Sequence, residues 1–394
     1  MLKSLALIFL IGMFFGYIAK KLKLPSLVGM LLSGVLIGPF ALNLIDTSIL
    51  NISAELRQMA LVVILLRAGL ALNLDALKKV GQPAVLMCFV PACFEIIGMI
   101  LLAPKFLGIS AVEAAVMGTV IAAVSPAVVV PRMLNLIEKK YGTNNSIPHL
   151  IMAGASVDDI FVIVLFTSFV ALASGGEVSM SSFASIPISI ALGIIAGAFT
   201  GWGIQNIFKV FPIQNTIKVL ILLSISFLLI AMEKASEGII PFSGLLAIMT
   251  AGCAILKFQP DLAVEMSSKF SKLWTTLEIL LFVLVGATVD ISYAINAGSN
   301  VIILVLLVVI FRVIGVLACL FKTPLDMKER LFCMIAYTPK ATVQAAIGGL
   351  PLAMGLACGN IVLTVAVLSI LITAPLGALG IDLTYKKLLK RACE

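Results

Sequence analysis

Long apolar runs, separated by short polar or Gly/Pro-rich segments, fill the chain from beginning to end. The runs are continuous rather than apolar at every second residue, which argues against a membrane β-barrel. A helix of about 20 apolar residues is long enough to cross a bilayer. The pattern therefore predicts an all-α polytopic membrane protein with about 13 transmembrane helices. The predicted spans are 2–19, 26–45, 52–73, 82–104, 110–136, 148–174, 183–208, 215–233, 239–256, 271–290, 298–320, 327–354 and 359–380.

Composition supports this class. Hydrophobic residues make up 61% of the 394 residues and charged residues 12%, and the mean hydropathy is +1.20. A soluble domain of this length would carry about 25% charged residues. The lipid bilayer is therefore the expected surrounding of this chain.

The basic residues lie mainly on one side of the predicted topology. With the N-terminus outside, 20 of the 27 lysines and arginines fall on the inner side and 3 on the outer side. This asymmetry follows the positive-inside rule and places the C-terminus in the cytoplasm. It also accounts for the net charge of +8 without a nucleic-acid partner. We expect a bacterial inner membrane.

Two adjacent carboxylates, Asp158 and Asp159, lie in the apolar run 151–173 and are its only charges. They follow Pro148 by about 11 residues, which is about 16 Å along a helix and near the middle of a bilayer about 30 Å thick. Ionised carboxylates at that depth are costly unless a proton or a cation neutralises them. We predict that Asp158 and Asp159 bind a transported proton and a cation of Na⁺ or Li⁺ size.

The chain contains an internal repeat that carries matched prolines. Ser125-Pro126 lies in the fifth predicted span and Thr338-Pro339 in the twelfth. Proline removes a backbone donor and opens a helix. Because the two spans differ by an odd number, the repeats have opposite orientations, which is the usual build of secondary transporters. Freed carbonyls and the hydroxyls of Ser125, Ser156 or Thr338 could add oxygen ligands to the ion.

Further charges lie inside apolar runs. Glu95 and Arg312 occupy matching positions in the two repeats and are expected to form a core ion pair, although Arg312 could instead pair with Asp158. Lys340 follows the second break and could titrate, gate or act as a countercharge. Glu278 is a further candidate acid that could simply pair with Lys272 at the inner surface.

Neighbouring residues on a helix project about 100° apart, so the two aspartates face different partners. We expect Asp159 to bind the ion, and Asp158 to be tuned by Arg312 or Lys340.

Other function classes fit less well. The seven cysteines are scattered without a CxxC pair and His149 is the only histidine, so neither a zinc site nor another cofactor is expected. An aspartyl protease needs two aspartates from different helices, and we predict no enzyme activity. A sodium-coupled organic-anion symporter, a K⁺/H⁺ antiporter and a channel remain as alternatives to sodium/proton exchange.

Three motifs resemble the cation/proton antiporter superfamily, in its sodium/proton exchanger branch. They are LRAGLALN at 66–73, AAVSPAVVVP at 122–131 and PKATVQAAIG at 339–348. The resemblance implies broken helices that cross beside the Asp pair, exchange by alternating access and a homodimer. It makes Asp159 the essential carboxylate and Asp158 its partner. The electrogenic branch usually has lysine where this chain has Arg312, which leaves the stoichiometry open.

The resemblance also implies two domains. An interface domain would comprise 1–81 and 210–297, a core or transport domain 82–174 and 298–394, and a linker helix 175–209.

Overall fold

The computed structural model describes residues 1–71, 81–174, 180–211, 213–236 and 242–392, without the side chains at 156, 160, 180–187, 291 and 293–298. The regular elements among the described residues are helices, apart from one isolated β-bridge. In chain order the helices are α1 (Leu2–Lys21), α2 (Ser26–Ile37), α3 (Thr47–Asn51), α4 (Ser53–Leu70), α5 (Gln82–Met87), α6 (Val90–Leu107), α7 (Ala111–Ile121), α8 (Pro126–Glu138), α9 (Ile147–Ala173), α10 (Met180–Val210), α11 (Asn215–Ala235), α12 (Gly244–Phe258), α13 (Pro260–Ala287), α14 (Ile291–Leu320), α15 (Met327–Ala336), α16 (Thr342–Ile347), α17 (Leu350–Ala353) and α18 (Gly359–Leu388).

The prediction of an all-α membrane protein is confirmed. Within the described ranges, nine helices or interrupted helices are long and apolar enough to cross a membrane. The figure of about 13 spans stays a prediction. Some helix boundaries differ from the predicted ones. The helix of the second predicted span, 26–45, already ends at Ile37, because the chain turns there. α14 begins at residue 291, seven residues before the predicted start at 298, because the helix continues into polar sequence.

Two spans are interrupted where the prolines predict. α7 ends at Ile121 and α8 begins at Pro126, which needs no backbone hydrogen-bond acceptor at the first helical position. α15 ends at Ala336 and α16 begins at Thr342, with Pro339 between them. A third interruption, between Met87 and Val90, divides the predicted span 82–104 and was missed.

Both broken spans begin with the same device. At α7, Ser110 accepts a hydrogen bond from the Glu113 backbone N–H, and Glu113 accepts one from the Ser110 backbone in return. At α15, Asp326 and Glu329 form the same reciprocal pair. Each capping box satisfies orphan N–H groups of the first turn and fixes where the helix starts.

The chain divides into two compact units. The first comprises 1–57, 73–162 and 279–394, and the second 58–72 and 163–278. In the first unit α6 packs along α14, where Gly98 leaves room for Phe311 and Gly315 lies against Phe94. In the second unit α10 packs along α12 through glycines spaced four residues apart, at 193, 197 and 201. The predicted core, interface and linker domains remain a prediction.

Residues 390–392 form a short strap. Tyr141 and Arg391 form an antiparallel bridge. On either side of it, the Gly142 N–H donates to the Lys390 carbonyl at 2.8 Å and the Ala392 N–H donates to the Lys140 carbonyl at 2.8 Å. The strap joins the end of α18 to the connection between α8 and α9.

Candidate functional site

The two broken helices meet at their breaks. The backbone N–H of Ser125 donates to the carbonyl of Pro339 at 2.7 Å. Each break leaves backbone groups without helical partners, and a bilayer offers no water to satisfy them. Protein groups must therefore fill this role, and those that do so here are mostly charged.

Arg312 on α14 is fully buried and joins both breaks to two carboxylates. Its Nη1 lies 2.9 Å from Glu95 Oε2 and its Nη2 2.7 Å from Asp158 Oδ2. Its Nε donates to the carbonyl of Tyr337 at 2.6 Å, and Nη1 also donates to the carbonyl of Ala122. The sequence left Glu95 and Asp158 open as alternative partners. The structure has both, because a guanidinium offers five donors in a planar fork.

Asp158 is fully buried and uses only one of its oxygens in these contacts. Oδ2 accepts from Arg312 and from the backbone N–H of Val124 at 2.8 Å. Oδ1 is buried and has no hydrogen-bond partner among the described atoms. Asp158 is therefore held by a cation on one side and by the first break on the other.

Asp159 has a different environment. Its side chain is half-buried, and its Oδ1 is buried without a hydrogen-bond partner among the described atoms. The two carboxylates face different neighbours, as expected for adjacent residues on a helix. Each carboxylate keeps one buried oxygen without a hydrogen-bond partner among the described atoms, but only Asp158 forms an ion pair with Arg312.

Lys340 lies in the second break and is fully buried. Its Nζ lies 2.6 Å from Glu95 Oε1 and donates to the carbonyl of Ile121 at 2.6 Å. Glu95 therefore has Lys340 on one oxygen and Arg312 on the other. Among the described residues, Lys340 forms its ion pair with Glu95 and none with Asp158.

Sequence reasoning missed two polar residues of this cluster. Gln344 on α16 is fully buried and donates to the carbonyls of Ala123 at 2.9 Å and Ile121 at 3.3 Å. Tyr337 is fully buried and donates its hydroxyl hydrogen to the carbonyl of Met87 at 2.9 Å. The sequence did contain a signal for both residues. A glutamine and a tyrosine lie close to Pro339 inside an apolar run, and buried polar groups there need hydrogen-bond partners.

The other predicted ligand residues are placed as follows. Ser125 Oγ is buried without a hydrogen-bond partner among the described atoms. Thr338 donates its hydroxyl hydrogen to the carbonyl of Ile335 at 2.9 Å, within its own span. The side chain of Ser156 lies outside the described residues, as do the last two residues of the motif at 66–73. Glu278 is half-buried on α13.

The charges of this cluster nearly balance. The described side chains include two cations, Arg312 and Lys340, and three carboxylates, Glu95, Asp158 and Asp159. With all five ionised, one negative charge remains, and a single proton or monovalent cation would neutralise it. Membrane helices broken beside buried ionisable groups are typical of secondary transporters built from inverted repeats.

Comparison with known proteins gives the family. Residues 6–387 match the family described as "Sodium/hydrogen exchanger, transmembrane", and the chain belongs to this family. Sodium/hydrogen exchanger 9B2 of Mus musculus is 34% identical over 386 residues, covering 94% of this chain and 69% of that protein. Sodium/hydrogen exchanger 9B1 of Homo sapiens is 31% identical over 392 residues, covering 93% and 73%.

The fold has a solved counterpart. The structure of the sodium proton antiporter MjNhaP1 from Methanocaldococcus jannaschii at pH 8 superposes with a TM-score of 0.82 at 21% identity. The match covers 98% of this chain and 97% of that one. At this identity the likeness establishes the fold, and the function must be argued from the family and the site.

Proposed function

We propose that this chain exchanges Na⁺ or Li⁺ for H⁺ across a membrane by alternating access, with the proton and the cation competing for Asp159 and Asp158. Membership of the sodium/hydrogen exchanger family makes sodium/proton antiport the activity of this chain. An organic-anion symporter and a K⁺/H⁺ antiporter are not favoured.

The observation that carries this proposal is the single uncompensated negative charge beside the crossing. Asp158 is already paired with Arg312, and Glu95 is paired with Lys340 and Arg312. Asp159 is the carboxylate without such a partner among the described residues, and its buried oxygen can accept a proton or an ion. Burying an uncompensated charge is costly, so the cluster is most stable with one of the two bound.

Obligatory exchange follows from this charge count. A proton and a monovalent cation each bring one positive charge, and one carboxylate cannot hold both. If the protein changes its accessible side only when the cluster is neutral, each crossing carries one proton or one cation. The count favours one-for-one exchange, which moves no net charge. Asp158, Ser125 and carbonyls of the breaks are the proposed additional oxygen ligands, and no cofactor is required.

Other features of this proposal rest on the sequence. We infer that 82–174 and 298–394 form the moving core, that 1–81 and 210–297 form the interface domain of a homodimer, and that 175–209 links them. The 20-to-3 distribution of basic residues supports an outer N-terminus and a cytoplasmic C-terminus. The bacterial inner membrane stays a prediction.

The test uses purified protein in proteoliposomes with an imposed pH gradient. Na⁺, Li⁺ or K⁺ is added in turn, and collapse of the gradient is followed with the membrane potential clamped or free. We expect collapse with Na⁺ or Li⁺, an apparent cation affinity that falls as the pH drops, and no effect of the clamp. Collapse with K⁺ alone would instead identify the K⁺/H⁺ alternative.

Two variants separate the site from general damage. Asp159→Asn removes the negative charge and should abolish exchange while the protein stays folded. Asp382→Asn is a matched control, because Asp382 is exposed and pairs with Arg132 at 3.3 Å, and it should exchange like the parent. If Asp159→Asn retained exchange, or if the cation affinity did not depend on pH, Asp159 would not be the residue for which the proton and the cation compete.

A further inference from the structure

Tyr337 lies at the second break and is fully buried, and the mechanism proposed above assigns it no role. We propose that Tyr337 is a positioning residue for the exchange site: it fixes the guanidinium of Arg312, and through Arg312 the orientation of Asp158. This inference rests on the proposed function, because it concerns the same site.

Tyr337 holds Arg312 in two ways. Its carbonyl accepts from Arg312 Nε at 2.6 Å, and its ring lies under the guanidinium with 5.1 Å between the ring centroid and Cζ. A cation over an aromatic ring is stabilised further when both are out of water. The remaining guanidinium nitrogens are thereby directed at Glu95 and Asp158.

The hydroxyl of Tyr337 fixes the ring in turn. α5 ends at Met87, and the last carbonyls of a helix have no helical partner. The Tyr337 hydroxyl donates to the Met87 carbonyl at 2.9 Å. This hydrogen bond anchors the ring to the interruption at the start of the span that carries Glu95.

Gly154 completes this arrangement from the helix that carries Asp158. A methyl group built on Gly154 would overlap the Tyr337 hydroxyl and would also lie 2.9 Å from Met87 Cβ. The absent side chain lets the hydroxyl sit directly against α9, one turn before Asp158. Tyr337 therefore touches three of the elements that bring charge to the site, which are the α5–α6 segment, α9 and Arg312 of α14, and it lies in the break that carries the fourth charge, Lys340.

Loosening this anchor should penalise the cation more than the proton. A proton needs one carboxylate oxygen, whereas a cation needs several oxygens in a fixed geometry. The charged groups around the guanidinium are Glu95, Asp158, Asp159 and Lys340, with Cys88 and Cys319 as titratable neighbours of the site. Tyr337→Phe leaves all of these groups in place. A change in the competition between the proton and Na⁺ would therefore come from a change in the positions of the oxygen ligands.

The experiment measures sodium-dependent exchange in proteoliposomes for the parent and Tyr337→Phe. We expect the half-saturating Na⁺ concentration to rise by about five-fold, the effect of one hydrogen bond, with the maximal rate largely kept. The pH of half-maximal exchange should move to higher pH in the same variant. Tyr385→Phe removes the equivalent hydroxyl near the strap, where the Tyr385 ring packs edge-on against Tyr141, and should leave both quantities unchanged.

A double-mutant cycle tests the contact itself. Gly154→Ala should impair sodium affinity more than Tyr337→Phe does, because its methyl group displaces the hydroxyl. In the Gly154→Ala background, Tyr337→Phe should partly restore affinity by removing the overlapped atom, so the same substitution harms one background and helps the other. The close contact of the new methyl group with Met87 Cβ is present in both proteins that carry Gly154→Ala, so it cancels in the cycle.

The outcomes separate the two proposals. Exchange by the parent, with Tyr337→Phe unchanged in half-saturation and pH profile or with additive effects in the cycle, would overturn the positioning role alone. A loss of maximal rate without a change in half-saturation would also overturn it. Absence of exchange in the parent would overturn the proposed function, and the positioning role with it.

Discussion

The two broken spans begin alike and differ at their breaks. Each starts with a capping box, and each is interrupted near a proline. The first break, Ala122–Ser125, contributes mainly backbone. The second, Tyr337–Ala341, and the helix after it contribute side chains. The carbonyls of Ile121 and Ala123 accept from Lys340 of the second break and Gln344 of the helix after it, and the Ala122 carbonyl accepts from Arg312 of α14.

This difference shows that a repeat can be symmetric in shape and unsymmetric in chemistry. Every residue has a carbonyl, so the first break needs only small side chains that let donors approach it. The second break depends on the identity of particular residues, because the donors are the ammonium group of Lys340 and, in the helix after the break, the side-chain amide of Gln344. Substitutions should therefore matter more at the second break than at the first.

The largest effect is expected for Arg312→Ala, which removes the donor shared by both breaks. Two buried carboxylates would lose a partner, and we expect about 3–5 kcal/mol of destabilisation in detergent unfolding. Arg132→Ala is the control, since the pair of Arg132 with Asp382 is partly exposed and such pairs contribute about 1 kcal/mol or less. A stable but inactive Arg312→Ala protein would contradict a mainly structural role.

A smaller effect is expected for Lys340→Met. Glu95 keeps Arg312 on its other oxygen. The free energy of unfolding should therefore fall by about 2 kcal/mol, which is typical of a hydrogen bond to a charged group. If Lys340 is a fixed countercharge, residual exchange should move the same net charge per cycle as the parent. A change in sensitivity to the clamped potential would instead assign it a titrating role.

Gln344→Leu tests whether a side chain that follows the second break contributes more to stability than a side chain in the first break. It leaves the Ala123 carbonyl without its donor, which should cost about 1 kcal/mol. Ser125→Ala is the counterpart in the first break and should change stability by about 0.5 kcal/mol or less, because Ser125 Oγ makes no described hydrogen bond. Denaturant unfolding of both variants checks this order. The reverse order would break the proposed asymmetry.

The smallest effect concerns the two capping boxes. Hydrogen bonding from the Glu329 backbone, and then the Lys390 ammonium, holds the pKa of Asp326 below its ordinary value of 3.8. A carboxyl with a lowered pKa contributes stability above its unfolded value and loses it as the pH falls through the folded one. Asp326→Asn keeps a good cap but cannot titrate.

The difference in unfolding temperature between the parent and Asp326→Asn should therefore shrink as the pH falls below about 4. Ser110 does not titrate, so Ser110→Asn should differ from the parent by an amount that does not depend on pH. A pH-independent difference for Asp326→Asn would contradict the role of its ionised form.

The sequence predicted those parts of the site that have a side-chain signature. Serine or threonine before proline marked both main breaks, and a carboxylate or guanidinium in an apolar run marked Asp158, Asp159, Glu95 and Arg312. Backbone partners had no such signature. The interruption after Met87 was missed although Pro91 follows closely, because proline at the start of a helix and proline that breaks one look alike in sequence.

Which donor meets which acceptor could not be predicted either. The sequence offered Glu95 and Asp158 as alternative partners of Arg312, because it does not show that both lie within reach of one guanidinium. The pairing of Lys340 with Glu95 depends in the same way on how α6 packs against the second break.

The strap at the end of α18 has a consequence for proteolysis. Lys390 and Arg391 are exposed basic residues, which are ordinarily good sites for trypsin. A protease must bind the chain in an extended form, yet the carbonyl of Lys390 and the N–H of Ala392 are already paired with Gly142 and Lys140. Cleavage there would require the strap to detach first, so the rate of trypsin cleavage after Lys390 or Arg391 measures how often the strap opens.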